Sequence, residues 1–228
     1  MGSGIQGLID GALMQQLRLE NIANNLANIN TNAFKKDVLS FSEVLTMANM
    51  SKIDFTPGNI TNTGNKLDVA LAGSGFFKIQ TPRGIRYTQN GSFTLNADQF
   101  LVTQNGDTVM GKKGPIQING NNVSIDTDGR VLVDNQSIDK LSLVDFRQPE
   151  LLTKEGSSYF TYEGAEEDIF TAENINIQQG FIERSNVNPT EEMIKMVETL
   201  RAFESAQKAI QVMDEVTGKL VNDPGLIQ

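Results

Sequence analysis

The chain has 228 residues and a formal net charge of −9, a balance that argues against nucleic acid and anionic membrane surfaces as partners. It contains no Cys and no His, which removes a disulfide framework, a thiolate metal site and the commonest general base. No apolar run approaches the ~18 residues of a membrane span, and the N-terminus lacks the charged-then-apolar pattern of a cleaved signal peptide.

The first element is a helix expected over residues 1–32. Ile5, Leu8, Ala12, Leu19, Ile22, Leu26 and Ile29 recur at alternating steps of three and four, with Gln15 in the one polar slot. That is a seam about one side chain wide, and a helix with such a seam needs a partner helix. Beside it runs a second stripe: Asn21, Asn24, Asn25 and Asn28. Asn is a mediocre helix former, and its amide both donates and accepts, so the stripe reads as a contact surface.

Residues 33–66 read as an extended connection, with one short amphipathic turn around Phe41, Val44 and Leu45. From Leu67 the period changes to two: Leu67, Val69 and Leu71 alternate with Asp68 and Ala70. Short strand-like runs follow, among them Ser92–Leu95, Ile116–Ile118 and Arg130–Val133. Asn90-Gly91, Asn105-Gly106, Asn119-Gly120 and Asp128-Gly129 stand between them. Such pairs suit tight hairpins because both residues tolerate positive φ, so residues 67–170 are expected to form an antiparallel all-β domain. Residues 171–186 return the chain, with Ile175-Asn176-Ile177 as a strand.

Residues 187–228 are expected to form the second long helix. Asn188 is its N-cap, Pro189 takes the first helical position, and Glu191 stands three beyond the cap. Met193, Met196, Leu200, Phe203, Ile210, Met213 and Leu220 continue the three–four alternation. The expected fold class is α+β: a discontinuous terminal coiled-coil domain, made when 187–228 packs on 1–32, with an antiparallel β domain inserted.

Three long stretches carry a family resemblance. Leu17 to Thr31 followed by Phe34-Lys35-Lys36 closely resembles the N-terminal motif of bacterial flagellar rod and hook proteins. Ser185 to Asn188, Arg201-Ala202-Phe203-Glu204 and Lys208-Ala209-Ile210-Gln211 resemble their C-terminal motif. Thr63 to Ala70, Gly75-Phe76-Phe77 and Tyr87 to Phe93 resemble the middle of the same family. Within it the chain is most similar to the proximal-rod members, on the short connection and on Asp54-Phe55-Thr56-Pro57-Gly58.

The resemblance implies a structural subunit of the basal-body rod, polymerising through its terminal helices into the shaft that carries torque from motor to hook. Its implied partners are copies of itself, other axial proteins of rod and hook, and the flagellar type III export apparatus. Its implied place is the periplasmic rod, reached without a cleaved signal peptide. The Asn stripe would then make polar contacts between subunits. A distal-rod or hook-type axial protein is the alternative within the family, and an oligomeric β-domain binding module the alternative outside it.

No catalytic, cofactor-binding or metal residues are expected. Asp126-Thr127-Asp128-Gly129 lacks the downstream Glu of a Ca²⁺ loop and reads as a hairpin turn. Three positions depart from the family pattern. Ala33 stands where Gly is common, so the turn is expected at Asn32. Asn96-Ala97-Asp98-Gln99 lacks the usual Gly. Leu200 replaces a common Gln and is expected to dry the seam.

Overall fold

A computed structural model describes residues 2–39, 52–120, 122–172 and 175–222. The chain is α+β and divides into two compact units. A helical unit comprises Met1–Ala27, Asp37–Lys52 and Asn188–Gln228, and a β unit comprises Asn28–Lys36 and Ile53–Val187. The amphipathic turn expected at Phe41, Val44 and Leu45 lies outside the described residues.

The helical unit is built from α1 (Gly2–Ala27) and α2 (Pro189–Asn222). The short strands β1 (Asp37–Val38) and β2 (Lys52–Ile53) precede the β-rich part of the chain. Its first half holds β3 (Ile60–Asn62), β4 (Val69–Ala72), β5 (Phe76–Thr81), β6 (Gly84–Thr88), β7 (Phe93–Leu95), β8 (Leu101–Thr103) and β9 (Thr108–Val109). Its second half holds β10 (Val123–Ile125), β11 (Arg130–Val133), β12 (Gln136–Lys140), β13 (Leu143–Phe146), β14 (Leu152–Glu155), β15 (Tyr159–Tyr162), β16 (Ile169–Thr171), β17 (Asn176–Gln179) and β18 (Phe181–Glu183).

A nine-strand sheet runs β14-β15-β6-β5-β9-β8-β7, with β13 pairing both β5 and β16. A three-strand ladder β10-β11-β12 and the pairs β17-β4 and β18-β3 complete the β unit. The return strand thus exists: β17 lies antiparallel to β4, with Ile177 opposite Leu71. Ile116–Ile118 forms no strand, although Ile116 and Ile118 are fully buried and single bridges join Met110 to Pro115 and Phe100 to Gln117.

The turns follow local chemistry more varied than Asn-Gly pairs. Gly106 and Gly129 take φ of 87° and 84°, as hairpin glycines should. Gly91 does not; a Cβ there would stand 1.8 Å from the Val69 carbonyl oxygen, so its role is to let two backbones approach. The β11–β12 hairpin turns on Asp134 and Asn135, with φ of 49° and 68°. Asp and Asn tolerate this region better than other residues with a Cβ.

Asn96 organises the glycine-free turn. Its Oδ1 accepts from the backbone N–H of Asp98 (3.0 Å) and Phe100 (2.9 Å), and Gln99 itself takes φ 64°.

Two cores divide at one dipeptide. Neighbouring side chains on a strand point to opposite faces. Phe77 therefore enters an aliphatic core with Val69, Ile79, Leu101, Val131 and Ile177. Phe76 enters an aromatic core with Tyr87, Phe146 and Phe160, joined by Phe55. Phe76 meets Phe55 and Phe146 edge-on at 5.6 and 5.3 Å, pairs that add about 0.5–1.5 kcal/mol each beyond burial.

The alternation read from Leu67 onward does not hold at β4, where Val69, Ala70 and Leu71 are all buried. Asp68 is buried too, and Thr63 Oγ1, Asn65 Nδ2 and Ser92 Oγ all donate to its carboxylate. A strand covered on both faces shows no period of two.

Candidate assembly surface

The start of α2 follows its sequence. Asn188 Oδ1 accepts from the backbone N–H of Thr190 (3.1 Å) and Glu191 (3.4 Å), and Pro189 is the first helical residue. Such a cap contributes about 1 kcal/mol. Lys195 bridges to Glu191 at 2.7 Å and Glu192 at 2.9 Å. The Glu191 carboxylate raises the Lys195 pKa, burial works against it, and Glu192 adds to the rise.

Glu192 is buried, and it joins the end of α1 to the start of α2. The Nδ2 of Asn25 lies 3.3 Å from Glu192 Oε2, 3.0 Å from the Asp37 carbonyl and 3.4 Å from Asn21 Oδ1. Its Oδ1 accepts from the Asp37 N–H at 3.0 Å. Asn25 is 1% exposed. Asn25, expected as an inter-subunit group, thus has its amide engaged inside the chain. Asn21 and Asn28 are half-buried, and Asn28 Oδ1 accepts from Thr31 Oγ1 at 3.1 Å. Asn24 is exposed.

The helices α1 and α2 pack against each other. On α1, Leu8, Ala12, Leu19 and Leu26 are half-buried and Ile22 is buried. Ile29, just past the helix, is half-buried in the β unit. The side chains of Ile5 and Leu220 lie outside the described residues.

On α2, Met196, Phe203, Ile210 and Met213 are half-buried. Met193 and Leu200 are not; they are 58% and 41% exposed. The covered stripe instead runs Glu192, Met196, Thr199, Phe203, Ala206, Ile210, Met213, at steps of four and three. Two phases of the same heptad fit Met196 and Phe203, and apolarity alone favours the one through Met193 and Leu200. The covered phase carries polar residues whose needs are met: Thr199 Oγ1 donates to the Lys195 carbonyl at 2.7 Å, and Glu192 is held by Asn25 and Lys195. Leu200 therefore does not dry the covered stripe.

What remains outside is apolar. Ile9, Leu13 and Leu17 are exposed at spacing four, a single stripe on α1. Met193, Val197 and Leu200 make a second on α2, and Ile194, Val212 and Val216 are exposed as well. The four-residue spacing of Ile9, Leu13 and Leu17 was the signal for the first stripe, and it is hidden by the stronger seam beside it.

In the β unit, the Phe34-Lys35-Lys36 motif sits at a dense polar joint. Lys35 is 1% exposed, and its Nζ lies 2.6 Å from Glu183 Oε1 and 3.1 Å from the Thr56 carbonyl. The same carboxylate oxygen accepts from the Gly58 N–H at 2.7 Å. Asn186 accepts from the Lys36 N–H at 2.7 Å and donates to the carbonyls of Asp54 and Thr56. Asp54 is partly desolvated, yet hydrogen bonds from Thr56 and Lys36 hold its pKa below the usual carboxylate value.

Ala33 enters this joint with φ 52°, its N–H donating to the Glu183 carbonyl at 2.9 Å. The left-handed residue is thus Ala33, not Asn32. At the Asp126 turn, Asp126 Oδ1 accepts from the N–H of Asp128 (3.0 Å) and Arg130 (2.8 Å), which is hairpin chemistry. No helix among the described residues is long and apolar enough to cross a membrane.

Two family models match this chain. A family model described as Flagellar basal body rod FlgEFG protein C-terminal matches residues 178–223, which include the described length of α2. One described as Flagellar hook protein FlgE/F/G D1 domain matches residues 70–133, in the β unit. The flagellar basal-body rod protein FlgG of Buchnera aphidicola subsp. Schizaphis graminum is 33% identical, covering 90% of this chain and 94% of its own. The rod protein FlgF of Caulobacter vibrioides is 33% identical over 92% of each chain, and FlgG of Bacillus subtilis is 31% identical over 96% and 97%. Similarity of this extent displaces the binding-module reading, and the chain belongs to the flagellar basal-body rod proteins, a family of structural subunits and not of enzymes.

Proposed function

We propose that this chain is a rod subunit that polymerises through its terminal helices, α1 and α2 forming an antiparallel coiled coil with the β unit inserted between them. The observation that carries the reading is the pair of outer apolar stripes, Ile9-Leu13-Leu17 and Met193-Val197-Leu200. Exposed large apolar groups in a contiguous stripe mark an interaction surface. Neighbouring copies, and other axial proteins of rod and hook, would cover them. A heterologous contact of this kind builds a helical filament when it does not close on itself, and a filament of repeated dry contacts can carry torque.

The seam residues Leu8, Ala12, Leu19, Ile22, Leu26, Met196, Phe203, Ile210 and Met213 then hold the coiled coil, with Ile5, Ile29 and Leu220 extending it. Met193 and Leu200 pass from that seam to the outer surface. Asn24 is the polar member of the α1 outer face. The short connection and Asp54 to Gly58, which resemble the proximal-rod members, support a proximal position in the rod. The subunit would leave the cell interior through the flagellar type III export apparatus, without a cleaved signal peptide, to reach the periplasmic rod.

The test is a flagellated strain carrying this chain in place of its own rod gene, with residues 2–30 deleted. Export or incorporation into purified basal bodies should be lost and swimming abolished. A strain that swims and incorporates the truncated chain would contradict the proposal.

A further inference from the structure

The sequence contains three Asn-Gly pairs, and the structure gives them three different environments. An Asn side chain followed by Gly can lose its amide because Gly offers no side chain to hinder attack by its backbone nitrogen. The reaction needs the Asn side chain to swing back over the chain and the Gly N–H to be free. Asn90 fails the first condition. Its Oδ1 accepts from the Ser92 N–H at 3.0 Å, and Gly91 is buried against the Val69 carbonyl. Asn105 is exposed but engaged: its Nδ2 donates to Tyr159 Oη at 3.4 Å, and the Gly106 N–H donates to the Thr103 carbonyl at 3.0 Å. Asn119 and Gly120 are both exposed, and among the described residues no hydrogen bond holds the Asn119 amide or the Gly120 N–H.

We propose that Asn119 is a site of spontaneous deamidation in the folded protein, with water as the only co-reactant. The Gly120 nitrogen attacks Asn119 Cγ. A bond forms between that nitrogen and Cγ, the Cγ–Nδ2 bond breaks, and the backbone proton leaves with Nδ2 as ammonia. Water then adds to either carbonyl of the five-membered imide, giving aspartate or isoaspartate. No oxidation or reduction occurs. Each event adds one negative charge to a chain already at −9, and the isoaspartate product inserts a methylene into the backbone just ahead of β10.

The experiment ages the purified full-length chain in mildly alkaline buffer at physiological temperature. Peptide mass spectrometry then reads amide loss at each of the three sites. Asn119 should lose its amide on the order of tenfold faster than Asn105, since Asn105 must first break two hydrogen bonds, and Asn90 should be slowest. The same chain aged in denaturant should lose all three amides at similar rates, because the three dipeptides are identical. Asn119→Gln should abolish the fast phase while leaving the other two rates unchanged. Amide loss led by Asn105 or Asn90 in the folded chain, no measurable loss at Asn119, or the same unequal order in denaturant, would each overturn the proposal.

Discussion

Among the described residues, Ile22 is the one large apolar side chain of the helical unit that is buried, whereas the β unit buries more than twenty. Exposure runs the other way. Of the twelve large apolar side chains left exposed among the described residues, ten belong to the helical unit, and only Ile60 and Phe170 to the β unit. Polar groups do not divide this way: the helical unit buries Asn25 and Glu192 and satisfies them internally. The β unit likewise buries an ammonium and a carboxylate and satisfies both internally. A chain segment that covers its own apolar groups folds for itself; one that leaves apolar stripes in water is shaped for something that covers them. The comparison predicts that damage to the β unit will appear as lost stability, and damage to the outer helical faces as lost association.

The largest expected effect is at Lys35. Lys35→Ala leaves the Glu183 carboxylate buried without a cation, at a cost of about 3–5 kcal/mol. Denaturant unfolding of the full chain, followed by tyrosine fluorescence, measures it. A loss below ~1 kcal/mol would mean the pair behaves as an exposed one, and the β unit's self-sufficiency would need another source.

The smallest effect has the opposite sign. Ala33 and Gln99 hold left-handed φ of 52° and 64°. A residue with a Cβ pays about 1–2 kcal/mol there, and Gly gives back about 0.5–1 kcal/mol through its freer unfolded chain. Ala33→Gly and Gln99→Gly should therefore each stabilise the protein by about 0.5 kcal/mol in the same unfolding measurement. Destabilisation at either site would show that the side chain's contacts outweigh the strain of its turn.

These residues also show how far the sequence could be read. The cap at Asn188-Pro189 was legible because capping is local: the side chain bonds to the backbone two and three residues on. Two hairpins were legible from Gly with positive φ, at Gly106 and Gly129. Strand β12 was not, because its turn is Asp134-Asn135 and contains no Gly. The phase of the α2 stripe was hidden for a different reason. Apolarity pointed to Met193 and Leu200, while tertiary partners that no local pattern announces let Glu192 and Thr199 face inward. The same long-range partner, Glu192, turned Asn25 from an outward group into an inward one.

The central claim is that the outer stripes exist for other subunits and contribute little to the fold of their own chain. Sedimentation velocity across a concentration series, beside a thermal melt, tests it on Leu13→Ser/Leu17→Ser against the parent chain, with Phe170→Ser as the β-unit control. The account predicts that the parent and Phe170→Ser associate as concentration rises and that the double variant stays monomeric. The double variant should also keep its stability to within ~0.5 kcal/mol per site, as exposed positions do. A double variant that associates like its parent, or that unfolds before it can be compared, would contradict the account.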